Sequence, residues 1–211
     1  MNSNTTLNPV TNAMRQIIVL IACISIAGAL CAQDHQPLEK AQKAARLIHR
    51  KATALDDVQI RTDVDLEKPY LVTGSDNLGA LALPDKGLKN KAPLKLDGKP
   101  LPIGQLWMRG LSPMTGGSKV ADGKLREITI STDEEDVDLT VYLLAAVSKD
   151  ETPMLQIFGA ARKPIATLKL KKAKTLQKLP LELDAIGDDG SATLFFNVAG
   201  QYVAEMKITK K

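Results

Sequence analysis

Apolar residues recur along the chain with two different periods. Leu38, Ala41, Ala45, Ile48, Ala52 and Leu55 follow one another at alternating spacings of three and four. That is the stripe of an amphipathic helix. Pro37 suits its first position, because the N–H that proline lacks is one a helix start leaves unpaired anyway. Lys40, Lys43, Arg46, Arg50 and Lys51 fall on the other faces. Half of the stripe is alanine, so the apolar face is modest. It predicts a basic helix packed on a domain or loosely tethered to it, the sharper alternative being attachment to an acidic surface, a membrane or a partner helix.

From Val58 the period changes to two. Val58, Ile60, Thr62, Val64 and Leu66 alternate with Gln59, Arg61, Asp63, Asp65 and Glu67, which predicts a half-buried strand ended by Pro69. Tyr70 to Thr73 and Leu78 to Leu83 predict two more strands, divided by the turn-forming run Gly74-Ser75-Asp76-Asn77. Residues 84–123 carry Pro84, Pro93, Pro100, Pro102 and Pro113 among many glycines, the mark of irregular chain. Short strands are expected within it at Leu94 to Leu96 and Ile103 to Arg109.

Beyond Lys124 the period of two dominates. It predicts strands around Ile128 and Ile130, Val137 to Leu144, Met154 to Phe158, Ala166 to Leu170, Leu179 to Leu183, Leu194 to Val198, and Tyr202 to Ile208. Val137, Leu139, Val141 and Leu143 form one apolar face, while Tyr142 and Leu144 make the other partly apolar. This predicts a central strand covered on both sides. Pro180 predicts an edge strand, and Ala199-Gly200 a closing hairpin. The expected fold class is all-β: a β-sandwich, immunoglobulin-like or jelly-roll-like, preceded by a signal peptide and one short amphipathic helix. No helical period separates the later strands, which disfavours a βαβ architecture.

The signal peptide is read from residues 17–32, IIVLIACISIAGALCA, preceded by Arg15. Ala27-Gly28-Ala29 supplies a small-residue cleavage pattern and Ala32 a later one. The run is short for a bilayer span, which needs about 20 residues. The polar residues 1–13 fit a signal poorly, and a start at Met14 suits it better. An uncleaved anchor is the rival reading, supported by the basic residues that follow the run. A lipoprotein is disfavoured, because bulky Leu30 precedes Cys31. The organisation expected is signal peptide 1–32, basic helix and linker 33–57, and β-sandwich 58–211 with the irregular segment 84–123. Both cysteines, Cys23 and Cys31, fall in the export segment, so no internal disulfide is expected in the domain.

Composition then narrows the function. The 211 residues are 44% hydrophobic and 25% charged, ordinary for a globular chain. A net charge of +4, with one Trp, three Tyr and three Phe, gives little support to nucleic-acid binding. His35 and His49 both precede the strands, so the β-region contains neither His nor Cys. It therefore lacks the parts of a Ser-His-Asp or Cys-His nucleophile and of a His/Cys metal site. No P-loop, GxGxxG or HExxH pattern is present. Acidic residues remain. Asp133, Glu134, Asp136 and Asp138 are the candidate ligands for calcium, which needs six to eight oxygens. The alternative is a solvated acidic turn that keeps strand edges soluble. Lys169, Lys171 and Lys172 are candidate binding residues in a basic stripe, and Trp107 is either a core anchor or a ligand platform. The acidic turn and the basic stripe are also expected to complement each other between molecules.

Asp136-Val137-Asp138-Leu139-Thr140-Val141 resembles the Asp-x-Asp-Leu-x-Val strand of bacterial pre-peptidase C-terminal domains, which are secreted β-sandwiches. The likeness spans these residues alone and departs at Thr140, where that pattern usually carries an aromatic. It implies an accessory, non-catalytic module. The expected function is thus an exported, non-enzymatic interaction or structural module, secreted or periplasmic. Its partner would be a protein or another envelope component, with the membrane engaged through the export signal if uncleaved. The alternative is a calcium-dependent ligand or glycan binder using the acidic turn at 133–138.

Overall fold

The computed structural model describes residues 34–51, 55, 58–131, 135–173, 176–188 and 190–211. The signal peptide expected at 1–32, with Met14, Cys23, Cys31 and both cleavage sites, lies outside the described residues. In chain order the elements are β1 (Asp34–His35), α1 (Leu38–Lys51), β2 (Tyr70–Thr73), β3 (Gly79–Pro84), β4 (Leu101–Arg109), β5 (Leu111–Thr115), β6 (Ser118–Lys119) and β7 (Arg126–Ser131). They continue with β8 (Asp136–Lys149), β9 (Thr152–Phe158), β10 (Ala166–Lys169), β11 (Lys171–Lys172), β12 (Leu181–Asp188), β13 (Ser191–Val198) and β14 (Tyr202–Lys210).

The strands form two antiparallel sheets, and the fold is all-β with one short helix. The larger sheet has the order β1-β2-β3-β4-β8-β9-β10, with β7 also paired to β8. The smaller has the order β12-β13-β14-β5-β6, with β11 also paired to β14. β8 is long because two strands share one of its flanks end to end. β7 pairs with its first half, from Ser131 opposite Asp136 to Arg126 opposite Val141. β9 pairs with its second half, from Phe158 opposite Leu143 to Thr152 opposite Lys149. β4 occupies the other flank.

Alternation along the strands sorts side chains into layers. Ala82, Leu106, Met108, Tyr142, Leu144, Leu155 and Ile157 of the larger sheet meet Leu181, Leu183, Leu194, Phe196, Ala204 and Met206 of the smaller in one core. Burial pushes the Tyr142 phenol above the ordinary tyrosine range, a rise the Thr140 hydroxyl partly offsets. The opposite face of the larger sheet is also apolar. Leu71, Leu81, Leu83, Trp107, Leu139 and Val141 lie under Ala41, Ala44, Ala45 and Ile48 of α1. The alanines of the helical stripe let the helix settle close to the sheet. Farther along this face, Leu143, Ala145 and Phe158 pack with Leu55, Val58 and Ile60.

Two expected strands take another form. The alternating stretch Val58 to Leu66 joins no ladder; Val64 makes one isolated bridge to Asp85. The stretch is an extended strap lying on the outer face of the larger sheet. Alternation reports which side of an extended chain is buried, and here the sheet face buries it in place of a paired neighbour. Leu94 and Leu96 likewise pack on the core without forming a strand. The seven strands expected beyond Lys124 are present, and β12 begins directly after Pro180.

One glycine sets how closely β3 and β4 approach. Gly104 has φ +144° at the irregularity in the β4–β8 pairing. A Cβ there would stand 2.1 Å from the Leu83 carbonyl oxygen and 2.9 Å from Pro84 Cα. Gly104→Ala is expected to destabilise the protein by about 3 kcal/mol or more, through backbone displacement. Gly98→Ala is the control: Gly98 has φ +86° but no heavy atom within 4 Å of its Cβ position. Only the cost of the left-handed conformation applies there, about 1–2 kcal/mol. Urea midpoints measure the difference, and equal losses would contradict the close approach.

Candidate functional site

The outer face of the larger sheet carries a cleft of about 1010 Å³, bounded by the C-terminal half of α1 and by the strap. Its floor is laid by register. Leu83, Gln105 and Leu143 stand opposite one another across β3, β4 and β8, and Trp107 follows Gln105 on the same face of β4. Ile48, Val58, Ile60, Val64 and Leu66 add apolar walls.

Gln105 is the polar residue within this floor and is only 8% exposed. Its Oε1 accepts a hydrogen bond from Trp107 Nε1 at 3.0 Å, and its Nε2 donates to Thr62 Oγ1 at 2.8 Å. One buried amide therefore orients the indole and pins the strap. The Asp63 carbonyl accepts from the Lys86 amide at 2.8 Å, and the Asp65 amide donates to the Pro84 carbonyl at 2.8 Å. Asp85 Oδ2 accepts from the Asp63 amide at 2.8 Å. These bonds fix the strap at its polar side while its apolar side faces the sheet.

Charge on the rim is largely paired. Lys86 meets Asp63 at 2.9 Å, Arg46 meets Glu67 at 2.8 Å and Lys68 meets Asp65 at 3.0 Å. The Asp63 carboxylate, as hydrogen-bond partner and as charge, raises Lys86 above the usual ammonium value. Burial works to raise Asp65, but the Lys68 contact and the Glu67 amide together hold it below the usual carboxylate value. Arg61 is exposed on the rim and makes no ion pair among the described residues. His49 adds a second polar group from the helix side.

The residues singled out from sequence do not converge. Trp107 lies in the cleft floor and is 4% exposed, so it acts as a core anchor whose surroundings form part of the cleft. Lys169 and Lys171 do not share one strand. Leu170, buried between them, is where the chain leaves the larger sheet, so Lys169 pairs with β9 and Lys171 with β14. Lys171 Nζ reaches Glu205 Oε1 at 2.9 Å within the same molecule. Lys172 is exposed at the end of the sandwich. Asp136 and Asp138 are exposed at the start of β8, and Asp138 Oδ1 accepts from Thr129 Oγ1 at 2.6 Å. Asp133 and Glu134 lie outside the described residues. Among the described residues no group of three or more His, Cys, Asp or Glu side chains is placed to hold a metal ion. No described helix is long and apolar enough to cross a membrane.

The cleft itself was not anticipated from sequence. Its one local signal is the polar Gln105 set in the apolar run of β4, Ile103-Gly104-Gln105-Leu106-Trp107. No protein-family model, curated protein or solved structure matches the chain.

Gln105→Leu removes both side-chain bonds and leaves the buried Trp107 N–H without its acceptor. The expected loss is about 1–3 kcal/mol in urea unfolding, with a changed Trp107 emission in the folded state. Unchanged stability and emission would show that the amide holds neither the indole nor the strap.

Proposed function

We propose that this protein is an exported, non-catalytic binding module, built on an immunoglobulin-like or jelly-roll-like sandwich, that takes a small amphipathic ligand in the cleft under the strap. The cleft carries this reading. Its volume, about 1010 Å³, lies near the upper end of the range for small-molecule sites, roughly 300–1,000 Å³. Its apolar floor of Leu83, Trp107 and Leu143 suits the body of such a ligand, and the Arg61 and His49 side chains on the rim suit a polar or negative head group. The non-catalytic part of the reading rests on side-chain supply: strands β2 to β14 contain no His or Cys to act as base or nucleophile. Export rests on the apolar run at 17–32.

Trp107 is the single tryptophan of the chain and lies in the cleft floor, so it reports occupancy directly. The probe is 1-anilinonaphthalene-8-sulfonate, an aromatic anion of the expected character. It should bind with energy transfer from Trp107, and Ile60→Glu should weaken that binding about tenfold by placing a charge on the apolar wall. Arg61→Gln should weaken it less and leave the melting temperature unchanged. Dye binding that is unaltered by Ile60→Glu in a folded variant would place the dye elsewhere and overturn the assignment of the cleft.

A further inference from the structure

A second surface shares no residue with the cleft. At the end of the sandwich where β13 turns into β14, three separate segments are tied together. The Lys91 amide donates to the Ala199 carbonyl at 2.8 Å, and the Ala173 amide donates to the Gln201 carbonyl at 2.9 Å. Asn90 Nδ2 reaches the carbonyl oxygens of Gln177 and Lys178 at 3.3 and 3.0 Å. Residues 89–91, 172–173 and 176–178 are thereby gathered around one turn, although some 80 positions separate the first from the others in the chain.

Two features of this end stand together. Lys89, Lys91, Lys172 and Lys178 are all exposed, and none forms an ion pair among the described residues. Glu182 at this end is engaged with the backbone. Its Oε1 accepts from the amides of Lys178 and Leu179, each at 2.7 Å. The four lysine side chains face solvent. Between Lys172 and Lys178 projects Leu176, the most exposed large hydrophobic residue described, with its whole side chain in solvent.

Leu176 stands on a fixed base. Its neighbour Gln177 is buried, and Gln177 Nε2 donates to the Leu179 carbonyl at 2.6 Å while Asn90 Nδ2 donates to the Gln177 and Lys178 carbonyls. A solvated leucine beside four exposed lysines matches the chemistry of an interface between water and anionic lipid. The lysines meet phosphate head groups, and the leucine enters the acyl boundary below them.

We propose that this end of the sandwich docks on an anionic lipid bilayer, with Leu176 inserted and Lys89, Lys91, Lys172 and Lys178 around it. The four charges provide attraction that depends on lipid charge and is screened by salt. The leucine provides the part that salt does not remove.

The test uses the full chain and vesicles of phosphatidylglycerol with phosphatidylcholine, against vesicles of phosphatidylcholine alone. Because the apolar run at 17–32 can itself adhere to lipid, the comparison is between variants. Replacing Lys89, Lys91, Lys172 and Lys178 by Ala should lower binding to the anionic vesicles by about tenfold or more, at roughly fivefold per lysine with partial additivity. Binding to neutral vesicles should not change. Leu176→Trp should be quenched by brominated lipid in the anionic vesicles, while the wild type, whose one tryptophan is buried, should not. Equal binding of the lysine variant, or an unquenched Leu176→Trp variant in a bound protein, would overturn the proposal. So would lipid-free self-association that Leu176→Asp abolishes, which would make this end a contact between copies of the chain.

Discussion

Leu139 to Ala146 are buried without interruption in the middle of β8. In a strand, successive side chains point to opposite faces, so this run obliges the larger sheet to be covered twice. The smaller sheet covers one face and buries Tyr142, Leu144 and Ala146. It cannot reach the other face, where Val141, Leu143 and Ala145 need a second cover. α1 supplies it over Val141, and the strap supplies it over Leu143 and Ala145. The three-layer arrangement follows from that need. So does the place of the cleft, which lies between the helix and the strap over that second face.

The same economy shapes the ends of the molecule. The chain passes from the larger to the smaller sheet at Leu170, so β10 and β11 are nearly one strand shared by two sheets. Such a crossing ties the layers at an edge and carries lysines toward one end. At that end, side-chain amides and carboxylates (Asn90, Gln177, Glu182) satisfy the backbone groups of an irregular connection. These polar residues do structural work in the turn, and among the described residues the lysines beside them form no ion pair. At the other end of the sheets the ion pairs are internal, with Lys210 on Asp76 and Arg109 on Glu135.

Much of the fold was legible in the sequence because strand alternation and burial obey the same period. β8 with its two apolar faces, the strand after Pro180 and the Ala199-Gly200 hairpin all follow from local patterns. The helix followed from its stripe, and Ala41, Ala45 and Ile48 are buried as that stripe requires. The strap alternates like a strand yet joins no ladder, because periodicity reports burial and is silent about backbone pairing. The site was far less legible. Gln105 and Thr62 meet across 43 positions of chain, and Asn90 and Lys178 across 88. No spacing rule joins such residues. Lys169 and Lys171 failed as a stripe for the converse reason: a sheet change at Leu170 separates neighbours in sequence.

The doubly covered middle of β8 should be the last part of the molecule to open, with the strap a cover laid upon it. Native-state hydrogen exchange tests this most directly. Amides from Leu139 to Ala146 should exchange only with global unfolding, sharing its free energy and denaturant dependence. Amides of residues 58–67 should exchange through a smaller, local opening. Exchange of the β8 amides at a lower opening free energy than those of β13, or strap amides as protected as β8, would contradict it.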